Sequence, residues 1–261
     1  MAKATKKKPI IPVLPLNSGE LKTWLAKQPA YMKQWVKSSG FSANPQSVCL
    51  LPGEDGKLVK VLAGVEKPLH IWSLAHLPSQ LPKGRYSIES RLKKDVVTQL
   101  ALGWQLGSYD YTEFKKSSSS AAVLEIPAGC DKLAVKHANN GITLARELIN
   151  TPPNVMGPEA LASACKKLAR QYDASCKIIV GDALLKQNYP AVHTVGRACE
   201  QAPRLADIRW GNAKHPKITL VGKGVTFDTG GLTLKPLSGM RLMKKDMGGA
   251  ANVLGLAAMV M

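Results

Sequence analysis

Apolar residues recur along this chain with two spacings in turn, one that suits a helix face and one that suits a strand. Residues 21–35 carry an amphipathic stretch. Apolar runs over 47–51 and 58–65 follow, separated by the turn Gly53-Glu54-Asp55-Gly56, a pattern that predicts a hairpin. Residues 92–106 hold apolar positions at helical spacing up to Gly107, and the polar run Ser117 to Ser120 leads into a strand-like 121–126. A helix is expected over 131–149. It must stop at Asn150-Thr151-Pro152-Pro153-Asn154, because consecutive prolines remove donors and restrict the residue before them.

Beyond that break the pattern predicts a helix over 158–172, a strand over 175–180 and a helix over 182–187. Strands over 192–196, 207–210 and 217–221 come next. The last element, 247–261, is apolar and rich in small residues nearly all round, so it is expected to be a helix enclosed on every side. Alternating strands and helices imply an α/β protein. The expected division is a smaller N-terminal α/β domain over 1–140, with a linker helix at its end, followed over 141–261 by the first part of a mixed-sheet α/β domain.

Composition changes this picture little. The chain has 261 residues, 45% of them hydrophobic, which is ample core material and excludes a disordered or fibrous chain. Five cysteines, odd in number and without CxxC spacing, point to free thiols and a cytoplasmic protein. The N-terminal apolar stretch is broken by Pro9, Pro12 and Pro15, unlike a secretory signal. The most lipid-like run, 250–261, is short of the roughly 20 residues needed to cross a bilayer, so no membrane partner is expected. A formal charge of +18 raises nucleic-acid binding, but the basic residues are dispersed, and Lys6, Lys7 and Lys8 form the one run of three. Their default reading is a solvated tail.

The candidate chemistry lies in 221–261. Glycines at 222, 224, 230 and 231 do not make a phosphate loop: Phe227 stands where a dinucleotide fingerprint needs glycine, and Lys223 is followed by Gly224 rather than Ser or Thr. Metal chemistry fits better. Asp228 follows the apolar run ending at Val221, Gly230 and Gly231 allow close backbone approach, and Asp246 opens a helix whose Gly248, Gly249, Ala250 and Ala251 permit tight packing. Lys223 can ligate only after losing its proton, which burial beside a dication favours. Lys235, kept charged, can hold a carbonyl oxygen and the oxyanion that develops on it. The plain alternatives are an Asx-turn or helix cap at each Asp, and surface charge at Lys244 and Lys245.

The segments GKGVTFDTGGLTLKP (222–236) and MKKDMGGAAN (243–252) resemble the first signature of the leucyl aminopeptidase (cytosol aminopeptidase) family. The resemblance extends back through ALGWQLGSYDY (101–111), ARELINTPPNVMGPEAL (145–161) and VGRACEQAPRL (195–205). It implies a metalloprotease with two divalent ions, zinc or manganese, that releases N-terminal residues from peptides. It also implies metal ligands at Lys223, Asp228 and Asp246, a catalytic Lys235, and Met243 lining the pocket for the first side chain. A bicarbonate, a homo-hexamer and, in some members, DNA binding are further implications. Ser117 to Ser120, His193 and Cys199 then need no catalytic role.

One departure stands out. The family's second signature, Asn-Thr-Asp-Ala-Glu-Gly-Arg, supplies the remaining acidic ligands and occurs nowhere here, and Asp228 and Asp246 are the only acids from 223 to 261. Two carboxylates against two dications leave positive charge uncompensated. The expectation is therefore a chain that stops before the second metal-binding signature and is inactive alone. The competing expectations are a non-enzymatic remnant and nucleic-acid binding through the basic N-terminal part.

Overall fold

The computed structural model describes residues 9–89, 92–117 and 122–261. The basic run Lys6 to Lys8 and most of the serine run, 118–120, lie outside the described residues. By its internal contacts the chain divides into two units, Met1–Asn139 and Asn140–Met261.

The first unit follows the order β1 (Ile10–Leu16), α1 (Ser18–Ala26), α2 (Ala30–Ser38), β2 (Val48–Pro52), β3 (Leu58–Gly64), α3 (Leu77–Gln80), β4 (Gly84–Ile88), α4 (Lys94–Gly107) and β5 (Ala122–Leu124). The expected hairpin is β2–β3, antiparallel with Cys49 opposite Leu62 and a register shift at Leu51/Pro52. The stretch over 21–35 is two helices rather than one, because Pro29 stands between them as the N-cap of α2. A capping box opens α1: Asn17 accepts from the Glu20 N–H while Glu20 accepts from the Asn17 N–H, both at 2.9 Å.

Sheet order is β2-β3-β1-β4-β5, with β2–β3 antiparallel and the other pairs parallel. Strand β1 carries Pro12 and Pro15 and sits between two neighbours, where proline is disfavoured. The register explains how. Residues Ile10 to Val13 pair with β4, and Val13 to Leu16 pair with β3. Val13 O faces β4, accepting from Glu89 N, and Leu16 O faces β3, accepting from Val65 N. Alternation then turns the Pro12 nitrogen toward β3 before that pairing begins, and the Pro15 nitrogen toward β4 after that pairing has ended. Successive β3 residues serve opposite faces: Val61 and Ala63 pack with Tyr86, Leu100 and Trp104, while Leu62 packs with Leu21, Val36 and Leu51.

Helix α5 (Lys132–Asn150) runs across the boundary between the units. The second unit continues with α6 (Pro158–Gln171), β6 (Ser175–Val180), α7 (Ala183–Lys186), α8 (Pro190–Gly196), β7 (Arg204–Arg209), α9 (Leu237–Met240), a 3-10 turn at Met243–Met247 and α10 (Gly248–Val260). Strands β6 and β7 pair antiparallel, Ser175 opposite Arg209 and Val180 opposite Arg204. Their core joins Ala145 and Leu148 of α5, Leu161, Cys165 and Leu168 of α6, and Met247, Ala251 and Leu254. Helices α5 and α10 approach to backbone contact: a Cβ on Gly141 would lie 2.5 Å from Gly255 O.

Three expectations for this unit are corrected. Residues 192–196 belong to helix α8, because Pro190 at its start suits a first helical turn and cannot donate within a ladder. Residues 217–221 form no strand, since no neighbouring strand among the described residues pairs with them. Helix α10 is not enclosed on every side: Ala251, Leu254 and Gly255 are buried while Leu256, Met259 and Val260 are exposed. No helix among the described residues is long and apolar enough to cross a membrane.

Candidate active site

The site is assembled where the irregular segment 216–225 crosses the start of α10. Lys223 O accepts from Ala250 N at 2.9 Å. The approach needs bare backbone: a Cβ on Gly249 would lie 2.8 Å from Lys223 N, and one on Gly222 would lie 2.6 Å from Gly249 O. The tight packing expected of 248–251 is thus real at Gly249. At Gly248 a Cβ would meet only Ile149 Cδ1 at 3.7 Å, an ordinary contact.

This contact brings the Lys223 ammonium to Asp246, which lies in the 3-10 turn just ahead of α10. Nζ is 2.8 Å from each carboxylate oxygen. The Asp246 side chain is only 17% exposed. The directed hydrogen bond goes to Oδ1, and the buried Oδ2 has the ammonium as a neighbour without receiving a well-aligned N–H. That oxygen is paired with the ammonium by charge rather than by a directed hydrogen bond, so a metal ion would have to replace the ammonium or take its lone pair.

Asp228 lies in the glycine-rich turn. Its Oδ1 accepts from Gly230 N at 2.7 Å, which is the Asx-turn of the plain alternative. Its Oδ2 accepts from Lys235 Nζ at 2.6 Å, and the same ammonium donates to Asp228 O at 3.2 Å and lies 3.3 Å from Met243 Sδ. Lys235, then the Gly230 amide and more weakly the Lys223 charge hold the Asp228 carboxyl below the usual carboxylate range. The Lys223–Asp246 pair and the Lys235–Asp228–Met243 group are therefore within electrostatic reach of each other. Positive φ at Gly230 and Gly231, +78° and +97°, bends the chain so that Lys235 returns to Asp228.

Lys244 was expected as plain surface charge, and the structure corrects this. Its Nζ donates to Asn150 O at 3.1 Å, placing a cation at the C-terminal end of α5. A lysine two residues before an acidic candidate gave no sequence signal for that role. Of the residues set aside, His193 Nε2 lies 3.3 Å from Asp182 Oδ1, Ser117 donates to Asp110, and Cys199 is an exposed free thiol.

The donor set can be weighed against a pair of divalent ions. Among the described residues no group of three or more His, Cys, Asp and Glu side chains is gathered to hold a metal. The two acids present are each already met by an ammonium at 2.6 or 2.8 Å. Two carboxylates also carry only half the charge of two dications. The residues fit part of a two-ion site and do not fit the whole of one.

Residues 11–127 match the family model described as M17 aminopeptidase, N-terminal domain, and residues 143–261 match that of the Cytosol aminopeptidase family, catalytic domain. The Probable cytosol aminopeptidase of Azotobacter vinelandii is 41% identical over 162 residues, 57% of this chain and 33% of that protein. Its counterpart in Nitrobacter winogradskyi is 36% identical over 179 residues, 63% of this chain and 36% of that protein. Among solved structures, the Cytosol Aminopeptidase from Coxiella burnetii superposes with a TM-score of 0.91 at 42% identity, over 98% of this chain and 56% of that one. The bottromycin maturation enzyme BotP in complex with Mn gives 0.74 at 25% identity, over 96% of this chain and 55% of that one. The chain thus spans about a third of the length of the curated relatives and just over half of the solved ones. With one M17 model covering most of each half of the sequence and a solved cytosol aminopeptidase matching nearly all of its fold, the chain belongs to the M17 cytosol aminopeptidase family.

Proposed function

We propose that this chain carries the N-terminal domain and part of the catalytic domain of a metal-dependent leucyl-type aminopeptidase, which releases N-terminal amino acids from peptides. The observation that supports it most is the meeting of Lys223 with Asp246 and of Lys235 with Asp228 and Met243, in the part of the chain that matches the catalytic-domain model.

In this reading Lys223, Asp228 and Asp246 face the divalent ions, zinc or manganese; the manganese complex of BotP favours the latter. Lys235 is the catalytic cation. Held at 2.6 Å by Asp228, its ammonium is oriented before substrate arrives and can oppose negative charge growing on a peptide carbonyl oxygen without reorganising. Met243, against that ammonium, gives the pocket an apolar and adaptable wall. A bicarbonate, a homo-hexamer of the complete enzyme and a cytoplasmic setting complete the proposal, the last supported by five free thiols.

Because the residues present complete no two-ion site, the 261-residue chain hydrolyses nothing measurable by itself. Turnover of leucine p-nitroanilide in excess manganese or zinc tests this. No turnover is expected from this chain, and turnover that Lys235→Ala abolishes is expected once the missing carboxylates are joined to it. Robust hydrolysis by the 261-residue chain alone would refute the incomplete-site reading.

A further inference from the structure

We infer that Met243 is a site of oxidation by peroxides, selected by the ammonium of Lys235, and that its sulfoxide captures the one donor of that ammonium not already given to Asp228. An ammonium has three N–H donors. On Lys235 two of them are directed at Asp228, 2.6 Å from Oδ2 and 3.2 Å from its carbonyl oxygen, and the third meets Met243 Sδ at 3.3 Å. A thioether sulfur is a weak acceptor, so this third donor is the one an incoming oxygen displaces most easily. Met243 is also partly open to solvent, whereas Met247, four residues on, is fully buried. A small oxidant therefore reaches the sulfur that stands beside a proton source.

The step balances within this group and one molecule of hydrogen peroxide. A lone pair of Met243 Sδ attacks one peroxide oxygen, the O–O bond breaks, and the departing oxygen takes a proton from Lys235 Nζ and leaves as water. The hydroxysulfonium formed on Met243 returns its proton to the Lys235 amine. Sulfur has then lost two electrons to the peroxide, and the ammonium is restored. The product places an oxygen with partial negative charge where a weak acceptor stood. That oxygen accepts a charge-assisted hydrogen bond from the third N–H, and together with Asp228 it saturates Lys235. Methionine sulfoxide is reducible by its dedicated reductases, so the capture is reversible.

The inference rests on the proposed function in one respect: the donor that the sulfoxide takes is the one that reading gives to the peptide carbonyl oxygen. Oxidation and capture are both read without turnover, so their failure is distinct from a failure of the peptidase reading. The 261-residue chain is treated with dilute hydrogen peroxide and its methionine peptides are followed by mass spectrometry. Met243 should be oxidised faster than Met259, although Met259 is the more exposed of the two at 36%. Lys235→Leu should slow Met243 by about 10-fold or more for want of the proton donor, and leave Met259 unchanged. Nitrogen-15 NMR of the lysine ammonium groups should show the Lys235 signal shift and sharpen on oxidation, as its exchange with water slows. Methionine sulfoxide reductases should reverse that change, and Met243→Leu treated alike should not show it. Equal rates at Met243 and Met259, a Met243 rate indifferent to Lys235→Leu, or a Lys235 signal unmoved by oxidation would each overturn the inference.

Discussion

Gly248 and Gly249 are neighbours at the start of α10, and alanine should affect them in opposite directions. On helix propensity alone both substitutions gain up to about 1 kcal/mol, because alanine gives up less backbone entropy than glycine. At Gly248 nothing opposes that gain, the nearest atom to a new Cβ being Ile149 Cδ1 at 3.7 Å. At Gly249 the Cβ would stand 2.8 Å from Lys223 N and 3.4 Å from Lys223 O, so the segment bearing Lys223 must move off the helix. That displacement stretches the Ala250 N to Lys223 O hydrogen bond, worth about 1 kcal/mol, and adds overpacking of about 1–3 kcal/mol. After subtracting the propensity gain, Gly249→Ala should destabilise the region by roughly 1–3 kcal/mol. Because the chain has two units, the appropriate assay is local: hydrogen exchange of the peptide over 243–260, which holds the Ala250 N–H that Lys223 O protects and reports opening free energy where the change is made. Faster exchange in this peptide for Gly249→Ala, with unchanged or slower exchange for Gly248→Ala, is expected. Equal protection in the two variants would show that the close approach at Gly249 does not constrain Lys223.

Two more predictions concern titratable groups. The Asp228 carboxyl is held below its ordinary range by Lys235 first, so its folded pKa lies under its unfolded one. The pair's contribution is thus present above the unfolded value of about 4 and lost as pH falls through the folded value. Carboxyl-carbon NMR should find Asp228 titrating lower than a free aspartate, and Lys235→Met should raise it; an unmoved midpoint would mean the ammonium is not its partner in solution. Burial, with the neighbouring Cys176 thiol adding to it, pushes Cys165 up to about 11. At pH 8 iodoacetamide should modify the exposed Cys199 well before Cys165, as read by peptide mass spectrometry, and comparable rates would contradict the packed α6 core.

The sequence carried the second unit's chemistry further than its strands. Lys223, Asp228, Lys235, Met243 and Asp246 were readable as one set through an ordered motif, and local glycines explain why residues 23 apart, Lys223 and Asp246, touch. Strand β1 escaped because Pro12 and Pro15 argue against any strand until its half-length pairing on each side is known. Strand β4 has too short a run to announce itself. Residues 192–196 read as a strand from Val192 and Val195, although Pro190 had already set the first turn of a helix. For 217–221 the pattern and the structure diverge for another reason: propensity specifies an extended apolar segment, but a strand exists only with a partner, and propensity names none.

The account depends most on Asp228 and Asp246 being metal-facing carboxylates in an unfinished site, and manganese binding to the 261-residue chain addresses that directly. Electron paramagnetic resonance of free and bound manganese should show weak binding, below two ions per chain, that disappears in the Asp228→Asn, Asp246→Asn double variant. Two tightly held ions per chain, or binding that survives the loss of both carboxylates, would contradict it.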